Sequence, residues 1–426
     1  MRLAWSQAAP SQAALNGYGF ILFVDGSRMS LSGVSCSAAA TDYDCSAPLP
    51  SLSAGAHVLQ MATMDAGLES PRSESITFNG SNPAPRTVTS SADVIAPRAP
   101  MQDPWLTCFS GDASTCFAVS PVAAGLPEVE RIATLPDNRV LAVFAGGVVQ
   151  VLPDGVPQRV DVNRGQAANI AAVAIDPEFV SNRFVYLATV APTAEGRSAV
   201  SVVRMRELAG SLGEAATIAA DLPAAQGRPA MSIGPDRRIY LALPSAGGQR
   251  SRGGPYDGLV LRLTRDGSAA GYEPVRSPVL AVGSDRPSSF AWLDAGHLVL
   301  ASNGVSQGPS AFLVALSVDG GWPARMTALS VSGPNRLASG VHEIAAVPAA
   351  ADAPLETKLF LLGQDPAALY LARVTGAPRT DVRSVNAIPL DAWTPTALAV
   401  DAGGDAIVAA RKPGETRVSL LRIKAR

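Results

Sequence analysis

The chain has 426 residues, 47% of them hydrophobic and 16% charged, with a formal net charge of −2. That much apolar material excludes wholesale disorder, and near-neutrality excludes a protein that grips nucleic acid through a basic face. No apolar run approaches the roughly 20 residues needed to span a bilayer, and the length fits two or three folding units.

Residues 1–80 read as one unit. Leu3-Ala4-Trp5 alternates as a strand, and Gly17-Tyr18-Gly19-Phe20 opens a second that ends on the turn signal Asp25-Gly26. His57–Met64 is a third run, followed by an Asp65-Ala66-Gly67 turn and the run Ser75–Phe78. Short alternating strands at this spacing predict a β-sandwich. Residues 81–122 are rich in Pro, Ser and Ala (Asn82-Pro-Ala-Pro85, Ala96-Pro-Arg-Ala-Pro100) and read as a linker that carries a Cys108–Cys116 loop. The four cysteines form two close pairs, Cys36 with Cys45 and Cys108 with Cys116, without zinc-site spacing. In polar surroundings they read as local disulfides of an exported protein, secreted or periplasmic; reduced structural thiols are the other reading. The stretch from Met1 to Trp5 holds no apolar leader core, so export implies a signal peptide outside this chain.

From residue 123 to 426 one pattern recurs: an apolar strand, a turn with Asp and Gly or Asn, a second apolar strand, then a third. It is seen in ERIATLPDNRVLAVFAGG, AAVAIDPEFVSNRFVYLATVA, AMSIGPDRRIYLALPS, SFAWLDAGHLVLASNG, HEIAAVPAAADAPLETKLFLLGQ and TALAVDAGGDAIVAARKPG. About six repeats roughly 40–60 residues apart predict a six-bladed β-propeller. A parallel α/β fold would need helices between the strands, and only Arg206–Ala219 has any helical character. The predicted fold class is all-β, a sandwich followed by a propeller.

Both parts resemble known families. Trp5, the GYGFILFVDG strand, the Leu49-Pro-Ser-Leu52 turn, SAGAHVLQM and DAGLESPRS are similar to a fibronectin type III or immunoglobulin-like domain that lacks its first strand. His57 stands where that family has a corner tyrosine, which implies a structural role. In the repeats, Ile175–Val190 (IDPEFVSNRFVYLATV), Ile233–Leu243 (IGPDRRIYLAL), Tyr256–Ser268 (YDGLVLRLTRDGS), Val282–Trp292 (VGSDRPSSFAW) and Gly320-Gly-Trp-Pro323 resemble the soluble quinoprotein glucose/sorbosone dehydrogenases. That family oxidises a sugar hydroxyl by hydride transfer to pyrroloquinoline quinone (PQQ) at the hub of a propeller, with Ca²⁺ polarising the quinone. The chemistry needs a base, cations on the cofactor's carboxylates, and oxygen ligands for the metal.

Carried over by position, the family's base falls on Gln226 and its neighbouring asparagine on Gly227. The Arg-Asn of the fourth-blade turn falls on Asp285-Arg286, and an arginine before the sixth blade is replaced within Thr394-Pro-Thr396, after Trp393. His342 matches a histidine that many members carry. The apolar blade positions survive while the polar hub positions are replaced. The expectation is a binding protein for a carbohydrate or a cell-surface protein, with Arg286, Asp285 and Trp393 as pocket candidates. The alternative is a divergent PQQ- and Ca²⁺-dependent sugar dehydrogenase, with His342 as base and Arg286 on the cofactor; a third reading is a rigid envelope component.

Other motifs have plainer readings. His297 follows a turn and reads as solvent-facing. Gly304-Val-Ser306-Gln-Gly308 matches a nucleophile elbow in letters but leads into a strand rather than a helix. Asp176, Asp236 and Asp266 recur at turns, where Asx hydrogen bonding explains them better than metal ligation. Arg250-Ser-Arg-Gly-Gly254 reads as a solvated loop.

Overall fold

The computed structural model describes residues 2–9, 11–31, 33–38, 42–49, 55–65, 68–70, 72–80, 104–109, 112–153, 155–163, 166–167, 169–193, 197–245, 256–270, 277–303, 313–318, 323–324, 326–331, 340–347, 357–364, 367–375 and 381–425. The Ser306 motif, the Arg250–Gly254 loop and the linker proper lie outside these residues. Two compact units are present, Met1–Ala92 and Asp93–Arg426. Among the described residues no helix is long and apolar enough to cross a membrane.

The first unit has two antiparallel sheets. One runs in the order Arg2–Gln7, Tyr43–Pro48, Ser35–Ala38; the other runs Ser27–Ser30, Gly19–Val24, Gly55–Asp65, with Leu68–Glu69 and Ile76–Gly80 both paired to Gly55–Asp65. Strand Gly19–Val24 buries Phe20, Ile21, Leu22 and Phe23, so both faces of its middle are covered. Asp25 (φ 49°) and Gly26 (φ 81°) then turn the chain in two residues, as a tight hairpin requires. Trp5 meets Phe20 edge-on at 5.2 Å, with Leu15 and Cys45 beside them. Cys36 and Cys45 lie opposite each other in register and are bonded. His57 Nδ1 is 2.7 Å from Asp25 Oδ2, and Asp25 also accepts the Val58 amide at 2.8 Å. Those two contacts hold the Asp25 carboxyl below the usual carboxylate range.

The second unit is a ring of six sheets. Their innermost strands are Val129–Thr134, Asn169–Ile175, Ala230–Ile233, Pro287–Trp292, Val341–Ala346 and Thr394–Val400, in blades 1 to 6. In each blade the next strands follow as antiparallel neighbours outward from the hub, except that Ser330–Val331 pairs parallel to Asp381–Ile388 at the outer edge of blade 5. Blades cover one another face to face, so their inner strands carry apolar residues on both sides. Six buried cores result, one between each pair of successive blades and one between blades 6 and 1. Arg206–Ala219, the one stretch with helical character, belongs to the hairpin of Ser198–Leu208 and Ser211–Ala224, turned by Ala209 and Gly210 at positive φ.

The predicted linker ends earlier than residue 122. Asp112–Leu126 is the fourth strand of blade 6, antiparallel to the C-terminal strand Val418–Ala425, and Trp105–Phe109 adds a fifth. The ring is therefore closed by pairing its two chain ends. Bulges near Pro121 and Ala123 let the proline sit in the strand. Cys108 and Cys116 face each other across this hairpin and are bonded.

The turn aspartates act within the fold. Asp176 Oδ1 accepts the Glu178 amide at 2.8 Å, and Asp236 Oδ1 accepts the Arg238 amide at 3.1 Å. Asp266 Oδ1 accepts the Ser268 amide at 3.1 Å. These are Asx turns. Arg265 of blade 3 also reaches Asp176 of blade 2 at 3.1 Å, and Arg139 of blade 1 reaches Glu207 of blade 2 at 2.8 Å. His297 Nδ1 lies 2.9 Å from Asp294 Oδ1 in the turn of blade 4.

Candidate functional site at the channel mouth

The six inner strands enclose a cavity of about 460 Å³, lined from successive blades by residues that include Arg131, Ala172, Met231, Ser288, Glu343 and Leu398. Its polar groups gather where the inner strands begin. Arg131 and Glu343 are 6% and 4% exposed, in strands whose other residues are mainly apolar. Nε of Arg131 donates to the Ala171 carbonyl of blade 2 at 3.0 Å, and Nη1 donates to the Glu130 carbonyl at 2.8 Å. Nη1 also reaches Nε2 of His342 at 3.1 Å and Oε1 of Glu343 at 3.3 Å. The second carboxylate oxygen of Glu343 accepts the Leu398 amide of blade 6. One ion pair thus ties blades 1, 2, 5 and 6 together across the hub.

The start of blade 5 is held in place from blade 4. The Asn303 side chain donates to the Val341 carbonyl at 2.8 Å and accepts the Val341 amide at 2.9 Å. Gly340 (φ 119°) makes this possible, because a Cβ there would stand 2.7 Å from the Asn303 oxygen.

Electrostatics follow from this geometry. Arginine can only donate, so His342 Nε2 is the acceptor and the imidazole carries its proton on Nδ1. Burial first, then the Arg131 and Arg228 charges, push His342 down to about 4, so it is neutral at pH 7. Burial pushes the Glu343 carboxyl up to about 7, against the opposing pull of Arg131, the Leu398 amide and Arg228. Arg228 itself is paired with Glu130 at 3.0 Å.

The positions singled out in the sequence divide into two groups. Gln226, Asp285, Arg286 and His342 all lie in, or lead into, the first residues of inner strands, at the mouth. Gln226 and Arg286 are exposed. The backbone at Asp285-Arg286 is fixed, with the Asp285 carbonyl accepting the Ser245 amide and the Arg286 carbonyl accepting the Asn303 amide. Trp393 does not line the channel cavity. Its ring stacks on Trp105 of the closing hairpin at 6.4 Å, 9° from parallel, with Lys412 over it at 4.8 Å. Sequence reasoning passed over Arg131 and Glu343. The signal was there: charges set inside inner-strand segments, Glu130-Arg131 in Val129–Thr134 and Glu343 in Val341–Ala346. Among the described residues no group of three His, Cys, Asp or Glu side chains is arranged to hold a metal ion.

The sequence profile of the family described as Glucose / Sorbosone dehydrogenase matches residues 126–345, over half of the chain. The chain belongs to the glucose/sorbosone dehydrogenase family. Similar solved structures are a glucose dehydrogenase-type oxidoreductase from Thermus thermophilus and the soluble aldose sugar dehydrogenase of Escherichia coli in its apo-form. The first is 20% identical, covers 72% of this chain and 99% of its own, and superposes with a TM-score of 0.52. The second is 15% identical over 73% of this chain and 100% of its own, with a TM-score of 0.55. At these identities the likeness of this glucose/sorbosone dehydrogenase family member to both is one of fold. No curated protein matches it.

Proposed function

We propose that this family member is an exported, non-catalytic propeller that binds a carbohydrate or a cell-surface protein at the exposed rim of the channel mouth. One observation carries the reading: Arg131 Nη1 donates to His342 Nε2 at 3.1 Å. The chain has three histidines; His57 belongs to the first unit and is engaged with Asp25, and His297 is engaged with Asp294 in the turn of blade 4, so His342 is the one on an inner strand. His342 is therefore the single imidazole available as a base, and its lone pair is already used. The same bond, with the Glu343 pair, draws in the buried cation of the mouth. A quinone bearing several carboxylates needs several cations, and among the described residues the hub buries one guanidinium, that of Arg131, already shared with Glu343 and His342. Among the described residues the hub does not fit PQQ, and no redox step is derived through it. Gln226 at the family's base position agrees, since an amide takes up no proton near pH 7.

The two disulfides support an oxidising compartment, secreted or periplasmic. The fibronectin-like first unit fits a spacer or adhesive role beside such a propeller.

The test is reconstitution of the full chain with PQQ and Ca²⁺, followed by aldose-dependent dye reduction, alongside a glycan array. No turnover, with saturable glycan binding weakened by Arg286→Ala and Gln226→Ala, is the expected result. Turnover that disappears in His342→Ala would overturn the reading in favour of a divergent dehydrogenase.

A further inference from the structure

Hydrogen-bonding capacity in the channel is unevenly spent. Thr134 Oγ1 donates to the Val400 carbonyl at 2.6 Å, and Ser288 Oγ to the Val341 carbonyl at 2.9 Å. Ser289 Oγ donates to the Ile344 carbonyl at 3.2 Å, and Trp292 Nε1 to Ser232 Oγ at 3.1 Å. These wall groups join one blade to the next; the hydroxyls of Thr134, Ser288 and Ser289 have spent their single donor and keep only acceptor lone pairs for a ligand. Apart from Arg131 and Glu343 the rest of the lining is apolar, Phe290 with mainly aliphatic residues such as Ile132, Val173, Met231, Ile344 and Leu398.

Arg131 is the exception. Its Nε and Nη1 are bonded, but Nη2 meets no acceptor among the described residues. The side chain is 7% exposed and lines the cavity. Nη2 is not among the occluded unpartnered atoms, so it is open to the cavity, where an acceptor on a ligand can replace water. A cavity of about 460 Å³ with an apolar wall and one oriented polar group falls within the ordinary range of small-molecule sites.

We propose that the channel binds a small aliphatic carboxylate, its head on Arg131 Nη2 and its hydrocarbon body along the aliphatic wall. A sugar acid fits this wall poorly, because most of its hydroxyls would be buried against apolar side chains and meet few acceptors and no spare hydroxyl donor. Arg131 is common to this inference and the reading above, but the site is separate from the rim invoked for glycans or proteins. Octanoate titration reads it apart from glycan binding and turnover, so the failure of one is told from the failure of the other.

Charge supports an anion. Glu343 is the carboxylate paired with Arg131, and it sits on the Nη1 side. The charged or titratable groups facing Glu343 are Arg131 of blade 1, Arg228 before blade 3 and His342 of its own strand, with Glu130 held on Arg228. Blades 2, 4 and 6 bring no charged side chain to the lining. Burial already pushes Glu343 up to about 7. An arriving carboxylate can therefore take over Arg131 while Glu343 takes up one proton from solvent, which conserves charge in the cavity. Binding then tightens as pH falls toward about 7 and levels off below it, where Glu343 already holds its proton.

Isothermal titration calorimetry of the full chain with octanoate, against 1-octanol and gluconate, tests this. Saturable one-site binding of octanoate is expected, about tenfold or more tighter than either control, with proton uptake seen on changing the buffer. Arg131→Leu is expected to abolish it. Because that variant leaves Glu343 buried alone, Glu343→Gln is the second arm: it should tighten octanoate and flatten the pH dependence. No heat with octanoate on folded protein, gluconate binding as tight as octanoate, or an unaltered pH dependence in Glu343→Gln would each overturn the proposal.

Discussion

Arg131 and Glu343 each lie three residues into an apolar strand, and each is buried against the other. Such a pair adds little net stability, since desolvation offsets most of the attraction, but removing one partner leaves a buried charge. Arg131→Leu is expected to lower the unfolding free energy by about 3–5 kcal/mol, and Arg131→Leu/Glu343→Leu to restore most of it, read by urea denaturation. Additive losses in the double variant would mean that the two residues act separately. His342 gives a pH prediction. The unfolded chain protonates it below the ordinary 6.5 while the native state refuses the proton until about 4, so its contribution is complete above 6.5 and lost as pH falls. Glu343 is opposite: native protein keeps its proton up to about 7, the unfolded chain sheds it near 4.5, and the contribution is lost as pH rises. Between those limits the two slopes cancel. In His342→Gln, stability should rise as pH falls from 6.5 to 4.5, by on the order of 1 kcal/mol per pH unit relative to the parent. A difference that stays flat with pH would remove His342 from its role as neutral acceptor.

At the scale of elements, the closing hairpin matters most. Asp112–Leu126 supplies Phe117 and Val119, both fully buried, to the core between blades 5 and 6, and Ala123 and Leu126 to the core between blades 6 and 1. Without it, strand Val418–Ala425 becomes an exposed edge and both cores lose a wall. A chain that begins at residue 127 is expected to unfold without a cooperative transition, whereas one that begins at residue 104 should melt as a single unit by circular dichroism. Equal cooperativity in the two would show that the hairpin is an ornament. Trp393 shows the same element at work: its ring stacks on Trp105, which this hairpin supplies, so a residue next to the mouth serves packing instead of the pocket.

For the whole molecule, the ring of blades was legible because each blade repeats the same local demand. The second strands of the blades are covered on both faces, which writes continuous apolar runs such as Val140–Phe144 and Leu298–Ala301. The turns before them in blades 1, 2, 3, 4 and 6 take an Asp that accepts nearby amides. These signals lie within a few residues of one another, so they survive in the order of the letters. The mouth was legible only in part. Gln226, Arg286 and His342 come to one end of the channel because all precede or open inner strands, which follows from the repeat. The partnership of Arg131 with a residue 211 positions away does not follow from it. Nor does the union of a Pro/Ser/Ala-rich lead-in with the final strand.

The order of the amino acids by itself determined an all-β chain, six blades, the Asx turns and the pairing partners of all four cysteines, since each rests on contacts between near neighbours. Tertiary structure alone decided where the ring closes, which way Trp393 faces, and that the buried cation of the hub is held by its own carboxylate. These are contacts between distant segments, fixed by which strands meet once the ring has formed, and no local period encodes them.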